Sequence, residues 1–318
     1  MRPLHRRALL AAAAVGLGAG VSGAAQAQAR PFFRRHGLPI GIQLYTLGPE
    51  AARDLEGTLA AVAGIGFRTV ELAGFYGRSP QDLRAALDKA GLKATSAHIQ
   101  PRGAPGASFD GDVGKVAEAL NVVGATHAVM PIPRIPERLG LVPAAGEDFV
   151  GYLRRVFSQM TADDWRANAQ FLNEKGAALA RSGIRVGYHN HNMEFAPLGG
   201  VSGMEILLAE TDPKLVTFEA DVGWIAASGQ DPAELLTRHK GRFTLMHVKD
   251  LKASTQPNFT LAMDPSDIGA GRMEWKRLLP AAHAAGVRHF FLEQEPPFPG
   301  PRIDSARAGH DFLAGLVA

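Results

Sequence analysis

The chain has 318 residues, of which 46% are hydrophobic, 34 are Lys or Arg, 31 are Asp or Glu and none is Cys. The length and the apolar content suffice for a large core, whereas the lack of cysteine excludes disulfides as its support. The net charge is +3, and the sequence has no stripe of basic residues that could contact phosphates, which argues against a nucleic-acid partner.

Residues 1–29 have the three parts of a secretory signal peptide. Arg6 and Arg7 precede an uncharged run of Ala, Leu, Val and Gly at 8–21, and small residues follow up to Ala29. The run is too short and too rich in Gly and Ala to span a bilayer well, which argues against a membrane anchor. Cleavage removes three arginines and no acid, so the mature chain is formally neutral. The arginine pair resembles a twin-arginine signal without completing that motif, so export in the folded state stays open.

Short β-rich runs alternate with longer amphipathic runs from residue 30 onward. Strands are predicted at Leu38–Tyr45, Phe67–Leu72, Lys93–Ile99, His127–Pro131, Ile184–His189, Leu215–Asp221, Phe243–Val248 and Arg288–Glu293. Helices are predicted at Leu55–Ile65, Pro80–Ala90, Asp112–Val123, Glu147–Phe157, Asp163–Arg181, Pro232–His239, Trp275–Ala285 and Ser305–Leu316. Eight such β/α units predict a closed parallel sheet, a single-domain (β/α)8 TIM barrel over residues 30–318. No G-x-G-x-x-G follows the first strand, which argues against an open nucleotide-binding sheet.

Polar side chains collect at the carboxyl ends of seven of the eight predicted strands, where barrel enzymes build their active sites. These residues are Gln43, Tyr45, Glu71, His98, His189, Asn190, His191, Glu219, Asp221, His247, Lys249, Asp250, Glu293 and Glu295. Because side chains alternate along a strand, residues two apart share a face, whereas neighbours such as Lys249 and Asp250 point apart. A cluster of carboxylates and imidazoles without thiolates predicts one divalent metal ion, either Mn²⁺, Mg²⁺, Co²⁺ or Zn²⁺.

Several segments resemble the sugar phosphate isomerase/epimerase family of xylose-isomerase-like TIM barrels. They are GYHNHNMEF (187–195), FEADVGW (218–224), HVKD (247–250), IGAGRMEW (268–275), FLEQE (291–295), GIQLYTL (41–47) and VELAGFYG (70–77). The resemblance implies one divalent metal held from strands five to eight, with ligands at Asp221, His247 and Glu293. The fourth ligand falls on His189, where many members have Glu. His191 competes with His189 for this role, and both lie on the same face of the strand.

The resemblance further implies that an α-proton is removed from a carbonyl compound whose oxygens the metal holds. Candidate catalytic residues are those able to move a proton or stabilise an oxyanion: His191, Glu219, Glu293 and Lys249. Candidate substrate contacts are the remaining groups near the barrel mouth: Gln43, Glu71, His98 and Trp224. With His at 189, a mechanism based on two carboxylates is in doubt and a base of imidazole type becomes plausible.

The sequence favours a sugar isomerase/epimerase but does not decide the fate of the substrate after proton abstraction. Return of the proton gives isomerisation or epimerisation, and loss of a β-substituent makes the protein a lyase or dehydratase. Export argues against a sugar phosphate and for a free keto-sugar or keto-glycoside. A neutral, exported chain is a poor match for an AP-endonuclease-like phosphodiesterase. After cleavage of the signal peptide, no contact with a membrane is expected. A non-catalytic sugar-binding barrel and a homo-oligomer stay open.

Signal cleavage gives the first prediction. Protein exported by its native host should begin at Gln28 or Arg30, because the small residues before each position match the cleavage pattern. Mass spectrometry of the periplasmic or secreted protein measures this N-terminus. Intact Met1 on protein found in the cytoplasm would contradict the prediction.

Overall fold

The computed structural model describes residues 30–103 and 108–318, and the predicted signal peptide lies outside these residues. Eight strands form the barrel: β1 (Gly41–Gln43), β2 (Thr69–Leu72), β3 (Lys93–His98), β4 (His127–Met130), β5 (Arg185–His189), β6 (Val216–Asp221), β7 (Phe243–Val248) and β8 (His289–Leu292). Each strand pairs in parallel with the next along the chain, and β8 pairs with β1 to close the sheet. The predicted (β/α)8 TIM barrel is therefore confirmed.

Helices cover the outside of the barrel and the ends of several strands. They are α1 (Phe32–His36), α2 (Gly48–Arg53), α3 (Leu55–Ile65), α4 (Pro80–Ala90), α5 (Val113–Val123), α6 (Phe149–Phe157), α7 (Ala162–Ala180), α8 (Gly203–Glu210), α9 (Val222–Ala227), α10 (Pro232–Arg238), α11 (Trp275–Ala285) and α12 (Arg302–Gly315). The bounds of α3, α4 and α11 agree with those predicted. Among the described helices, none combines the length and the apolarity needed to cross a membrane.

The sequence interpretation missed α1, α2, α8 and α9. Every residue of α9 is buried, so its sequence VGWIAA lacks the polar face that gives a helix its period. Helix α8 does carry a start signal, since Ser202 and Glu205 form a capping box at its first turn. Both helices are short, and helical periodicity over so few residues is weak.

A thin apolar layer lies inside the barrel. Val129, Leu245 and Phe291 form a cluster there, apart from the large core between the barrel and the helices. The polar residues of the strand ends follow this layer along the same strands, since His247 and Glu293 come two residues after Leu245 and Phe291. This apolar layer therefore lies directly beneath the polar residues of the barrel mouth.

The tight packing of this interior gives a second prediction. A methyl group on Gly41 would lie 2.6 Å from both Phe291 Cδ1 and Thr69 Oγ1, so Gly41→Ala should destabilise the fold by about 1–3 kcal/mol. Gly64→Ala is the control, because nothing lies within 4 Å of its added methyl group. That change in an exposed part of α3 should stabilise by roughly 0.5–1 kcal/mol. Urea unfolding measures both, and equal midpoints for the two variants would contradict the packing argument.

Candidate active site

Ten ionisable side chains converge at the carboxyl ends of the strands. They are His98, His189, His191 and His247, the carboxylates Glu71, Glu219, Asp221, Glu293 and Glu295, and Lys249. Within the cluster, His98, His189, Glu219 and His247 can place ligand atoms within 4.8 Å of one another, and so can Asp221, His247 and Glu293. His247 belongs to both sets and is wholly buried.

Glu71 holds His247 from below the barrel mouth. Its Oε2 lies 2.6 Å from His247 Nε2 and accepts a hydrogen bond of 2.8 Å from Gln43 Nε2, while Ser96 donates to its other oxygen. Burial opposes ionisation of Glu71, but His98 and His247 outweigh it and hold the pKa of this carboxyl below its usual value. An ionised Glu71 accepts a hydrogen bond from Nε2 of His247, which turns the other ring nitrogen, Nδ1, toward Asp221 and Glu293.

Asp221 reaches the mouth because it also begins a helix. Its Oδ1 accepts a hydrogen bond of 3.0 Å from the N–H of Trp224, which makes Asp221 the N-cap of α9. The other oxygen, Oδ2, lies 3.7 Å from His247 Nδ1 and 3.9 Å from His189 Nε2. Glu293 Oε2 lies 2.9 Å from the same His247 Nδ1. Asp221, His247 and Glu293 are thus brought together as one possible ligand set, whereas the fourth predicted ligand, His189, groups with His98, Glu219 and His247.

These donors fit a divalent metal ion. Glu219 Oε1 is buried and accepts no hydrogen bond, and Asp221 Oδ2 accepts none of good geometry although Lys249 Nζ lies 2.7 Å away. Buried carboxylate oxygens normally have partners, so these two are available as ligands. Oxygen and imidazole donors without thiolate suit Mg²⁺, Mn²⁺, Co²⁺ or Zn²⁺.

Lys249 balances the carboxylates on the far side of this ligand set. Its Nζ lies 2.7 Å from Asp221, 2.8 Å from Glu293 and 2.6 Å from Glu295. Burial opposes a charge on Lys249, but the three carboxylates raise its pKa well above the usual value. The ammonium also lies 5.3 Å from the ring centre of Trp224. Lys249 therefore stays protonated.

Asp250 points away from the cluster, as strand alternation predicts. Its Oδ2 accepts hydrogen bonds of 2.9 Å from Trp275 Nε1 and from the N–H of Gly269. Asp250 thus holds the loop before α11, and neighbouring Lys249 alone faces the barrel mouth.

His189 and His191 both face the mouth, with ring centres 4.9 Å apart. His189 Nδ1 lies 3.1 Å from Glu219 Oε2, whereas His191 Nδ1 is buried and has no hydrogen-bond partner. Burial and the charge of Lys249 lower the pKa of His191 to about 4. Burial and neighbouring His247 likewise lower the pKa of His189 well below its usual value. Both imidazoles are therefore neutral near pH 7.

A cavity of about 320 Å³ opens above this cluster. We call the lining residues that adjoin the cluster the base of the cavity, namely His98, His189, His191, Trp224, Glu293 and Glu295. The other lining residues form its upper part: Tyr45, Ala73, Gln100, Pro131, Ile132, Phe149, Val150, Leu153 and Leu261. Two of the predicted substrate contacts, His98 and Trp224, thus face the cavity. Gln43 and Glu71 lie beneath it, fully buried and bonded to each other, and their contact with substrate stays a prediction.

Glu194 is a residue whose role sequence reasoning missed. It is fully buried and accepts hydrogen bonds from Tyr188 Oη at 2.8 Å and from the N–H of His191 at 2.9 Å. Burial raises the pKa of Glu194 to about 7 despite the bond from Tyr188. Glu194 fixes the turn that orients His191. The one sign of this role in the sequence is the position of Glu194 three residues after His191. Asn190 adds a second clamp, because its Oδ1 accepts a hydrogen bond of 3.2 Å from the N–H of Asp221.

Comparison with known proteins identifies the family of the chain. The model of the xylose isomerase-like TIM barrel family matches residues 59–316. An inosose dehydratase of Geobacillus thermodenitrificans is 27% identical over 154 residues, which are 44% of this chain and 51% of that protein. The chain thus spans about half the length of this relative.

Two solved structures share the fold. A sugar phosphate isomerase/epimerase of Parabacteroides distasonis has a TM-score of 0.67 at 24% identity, covering 87% of this chain and 94% of its own. A probable 3-DHS dehydratase of Bacillus anthracis has a TM-score of 0.61 at 12% identity, covering 87% and 98%. At these identities the likeness shows the fold alone. The family resemblance found in the sequence is confirmed by the family match, and the chain belongs to the xylose isomerase-like TIM barrel family.

Proposed function

We propose that this protein is a metal-dependent lyase of the dehydratase type. It removes the α-proton of a polyhydroxylated cyclic ketone and expels the substituent on the β-carbon. The observation that carries the proposal is His191, whose buried Nδ1 has no hydrogen-bond partner, whose ring centre lies 4.9 Å from that of His189, and which lines the same cavity as Glu293. The names of two similar proteins, an inosose dehydratase and a probable 3-DHS dehydratase, favour elimination over isomerisation.

The residues that would hold the divalent metal ion are His189, Asp221, His247 and Glu293. A divalent ion held there would supply Lewis-acid chemistry, polarising the substrate's carbonyl group and favouring the negative charge left by the departing proton. Glu71 orients the ring of His247 through Nε2, so that Nδ1 faces Asp221 and Glu293. Asn190 keeps β5 and β6 in register, so that the donors of the two strands stay together.

His191 is the base in this proposal. Its neutral imidazole accepts the α-proton, and Glu194 holds its backbone in place. The electron pair of the C–H bond becomes the new C=C bond, while the bond from the β-carbon to its oxygen breaks. Glu295 lines the cavity and burial raises the pKa of its carboxyl group, so Glu295 delivers a proton to the departing oxygen, while Lys249 stays protonated 2.6 Å away. The sum is loss of water or an alcohol, and the step requires no oxidant.

The substrate in this proposal carries no phosphate. Among the cavity-lining residues two are carboxylates, Glu293 and Glu295, and none is Arg or Lys. A phosphate dianion would be repelled by these groups. Residues 1–29 have the pattern of a secretory signal, and a protein outside the cytoplasm meets free sugars rather than sugar phosphates. A free keto-sugar or keto-glycoside fits both observations.

Metal binding is tested by removing a ligand or its support. His247→Ala should lose most of its metal because both ligand sets contain this imidazole. Glu71→Gln should keep the ligands but weaken affinity by about 10–100-fold, since the orientation of His247 is loosened. Elemental analysis and equilibrium dialysis with Mn²⁺ measure both. His127→Gln changes an imidazole at the opposite end of the barrel, in the first residue of β4, and should bind metal normally. Full occupancy in His247→Ala would exclude this ligand set.

Division of labour between the two histidines gives a further prediction. His189→Ala should lose metal, whereas His191→Ala should keep metal and lose proton exchange by about 10²–10⁴-fold. Deuterium uptake from heavy water into inosose and a panel of keto-sugars measures the exchange. Product mass separates the reactions, because elimination lowers the mass and isomerisation or epimerisation preserves it. Wild-type metal and exchange in both variants would make the segment structural and defeat the mechanism.

A further inference from the structure

We propose that the upper part of the catalytic cavity is a subsite for an apolar, ring-shaped substituent. The substrate is then a keto-sugar joined to an aromatic or similarly apolar group. This inference rests on the proposed function, because it assigns the sugar ring to the base of the same cavity. We call six side chains of this upper part, Tyr45, Ile132, Phe149, Val150, Leu153 and Leu261, the apolar lip, beside which Gln100 is the one amide side chain among the described lining residues.

Exposed large hydrophobic side chains are concentrated around the barrel mouth. In residues 30–103 and 108–318 they are Tyr45, Leu141, Val142, Phe149, Val150, Phe259 and Val317. All except Val317 lie in segments that come after the carboxyl ends of β1, β4 and β7. Single exposed hydrophobics are ordinary, but a concentration at one face of a protein marks a binding surface.

Three of these residues line the cavity itself. Phe149 is 58% exposed, Tyr45 52% and Val150 41%, although each lies at the edge of a pocket that continues down to His191 and Glu293. An apolar ligand group resting here would cover hydrocarbon that water now contacts. The cavity thus changes from charged at its base to apolar at its lip.

The lip is held in place by polar contacts behind it. Arg154 of α6 donates a hydrogen bond from Nε to the carbonyl oxygen of Thr260, which joins the segment after β4 to the loop after β7. Asn192 accepts from the N–H of Leu261 at 3.1 Å and donates to Asn258 Oδ1 at 2.8 Å. Leu261 has a φ of 52°, a left-handed conformation that Leu rarely adopts. The neighbouring contacts therefore keep an apolar side chain facing the cavity despite a local backbone cost.

A sugar ring by itself does not match this surface. Its hydroxyl groups would lose hydrogen bonds to water against Phe149, Val150 and Leu153 without finding new partners. The base, with its imidazoles and carboxylates, can satisfy those hydroxyls. A ligand that fills the cavity therefore has a polyhydroxylated end and an apolar end. The aromatic rings of Phe149 and Tyr45 favour a flat apolar group, and a volume of about 320 Å³ suits a small molecule rather than a protein segment.

The test compares two probes on the full chain by isothermal titration calorimetry, which needs no turnover. We expect phenyl β-D-glucopyranoside to bind about tenfold more tightly than methyl β-D-glucopyranoside, as burial of a ring of this size would give. The double variant F149A/V150A should lose this preference and keep its affinity for the methyl glycoside. Val142→Ala is the control, because Val142 is 71% exposed in the same segment and does not line the cavity. It should leave both affinities unchanged.

Equal affinity for the two probes, or no measurable binding of the phenyl glycoside, overturns the subsite. A preference that survives in F149A/V150A also overturns it. Sedimentation of the wild type and of F149A/V150A tests whether a second copy of the chain occupies the lip instead. If the wild type is a dimer and F149A/V150A is a monomer, the lip is an interface between copies. Selective binding of the phenyl glycoside without proton exchange on any ketone supports the subsite and defeats the proposed function. The two failures are therefore distinguishable.

Discussion

Burial of many negative charges at one end of the barrel is the constraint on which the rest of the site depends. Glu71, Glu219, Asp221 and Glu293 are at most 5% exposed, and burying a carboxylate costs several kcal/mol unless positive charge or hydrogen bonds compensate. Lys249 lies within 2.8 Å of two of them. The carboxylates that remain without good partners account for the fit to a divalent ion.

Several groups at the mouth are aimed by contacts with neighbouring residues. Glu71 orients the ring of His247, and the N-cap bond from Trp224 turns Oδ2 of Asp221 toward the imidazoles. Glu194 holds the backbone of His191. Such supporting contacts reduce the reorganisation needed when a substrate binds, which is the main way a rigid site accelerates a reaction. The barrel supplies them readily because all strand ends meet in one small space.

The cavity combines two environments that divide the ligand between them. Imidazoles and carboxylates at its base suit hydroxyl groups and a carbonyl, whereas the lip of aromatic and aliphatic side chains suits a group that water solvates poorly. Family membership assigns the barrel and says little about the lip, because loops after the strands vary while the barrel stays the same. In the proposed subsite, the segment 131–161, which carries α6, supplies most of the apolar side chains that would contact the substituent.

The sequence by itself determined the barrel and the order of its strands, although the first strand is Gly41–Gln43 and not the predicted Leu38–Tyr45, because a 3-10 turn begins at Leu44. Alternation along a strand is a local property, so it separated Lys249 from Asp250 and paired His189 with His191 without further information. Tertiary structure decided which groups touch, because partners such as Glu71 and His247 are 176 residues apart and meet only when the barrel closes. It also decided that Phe149 and Val150 stay exposed while Leu153 is buried, since the sequence marks all three as apolar and only the neighbouring loops determine which are covered.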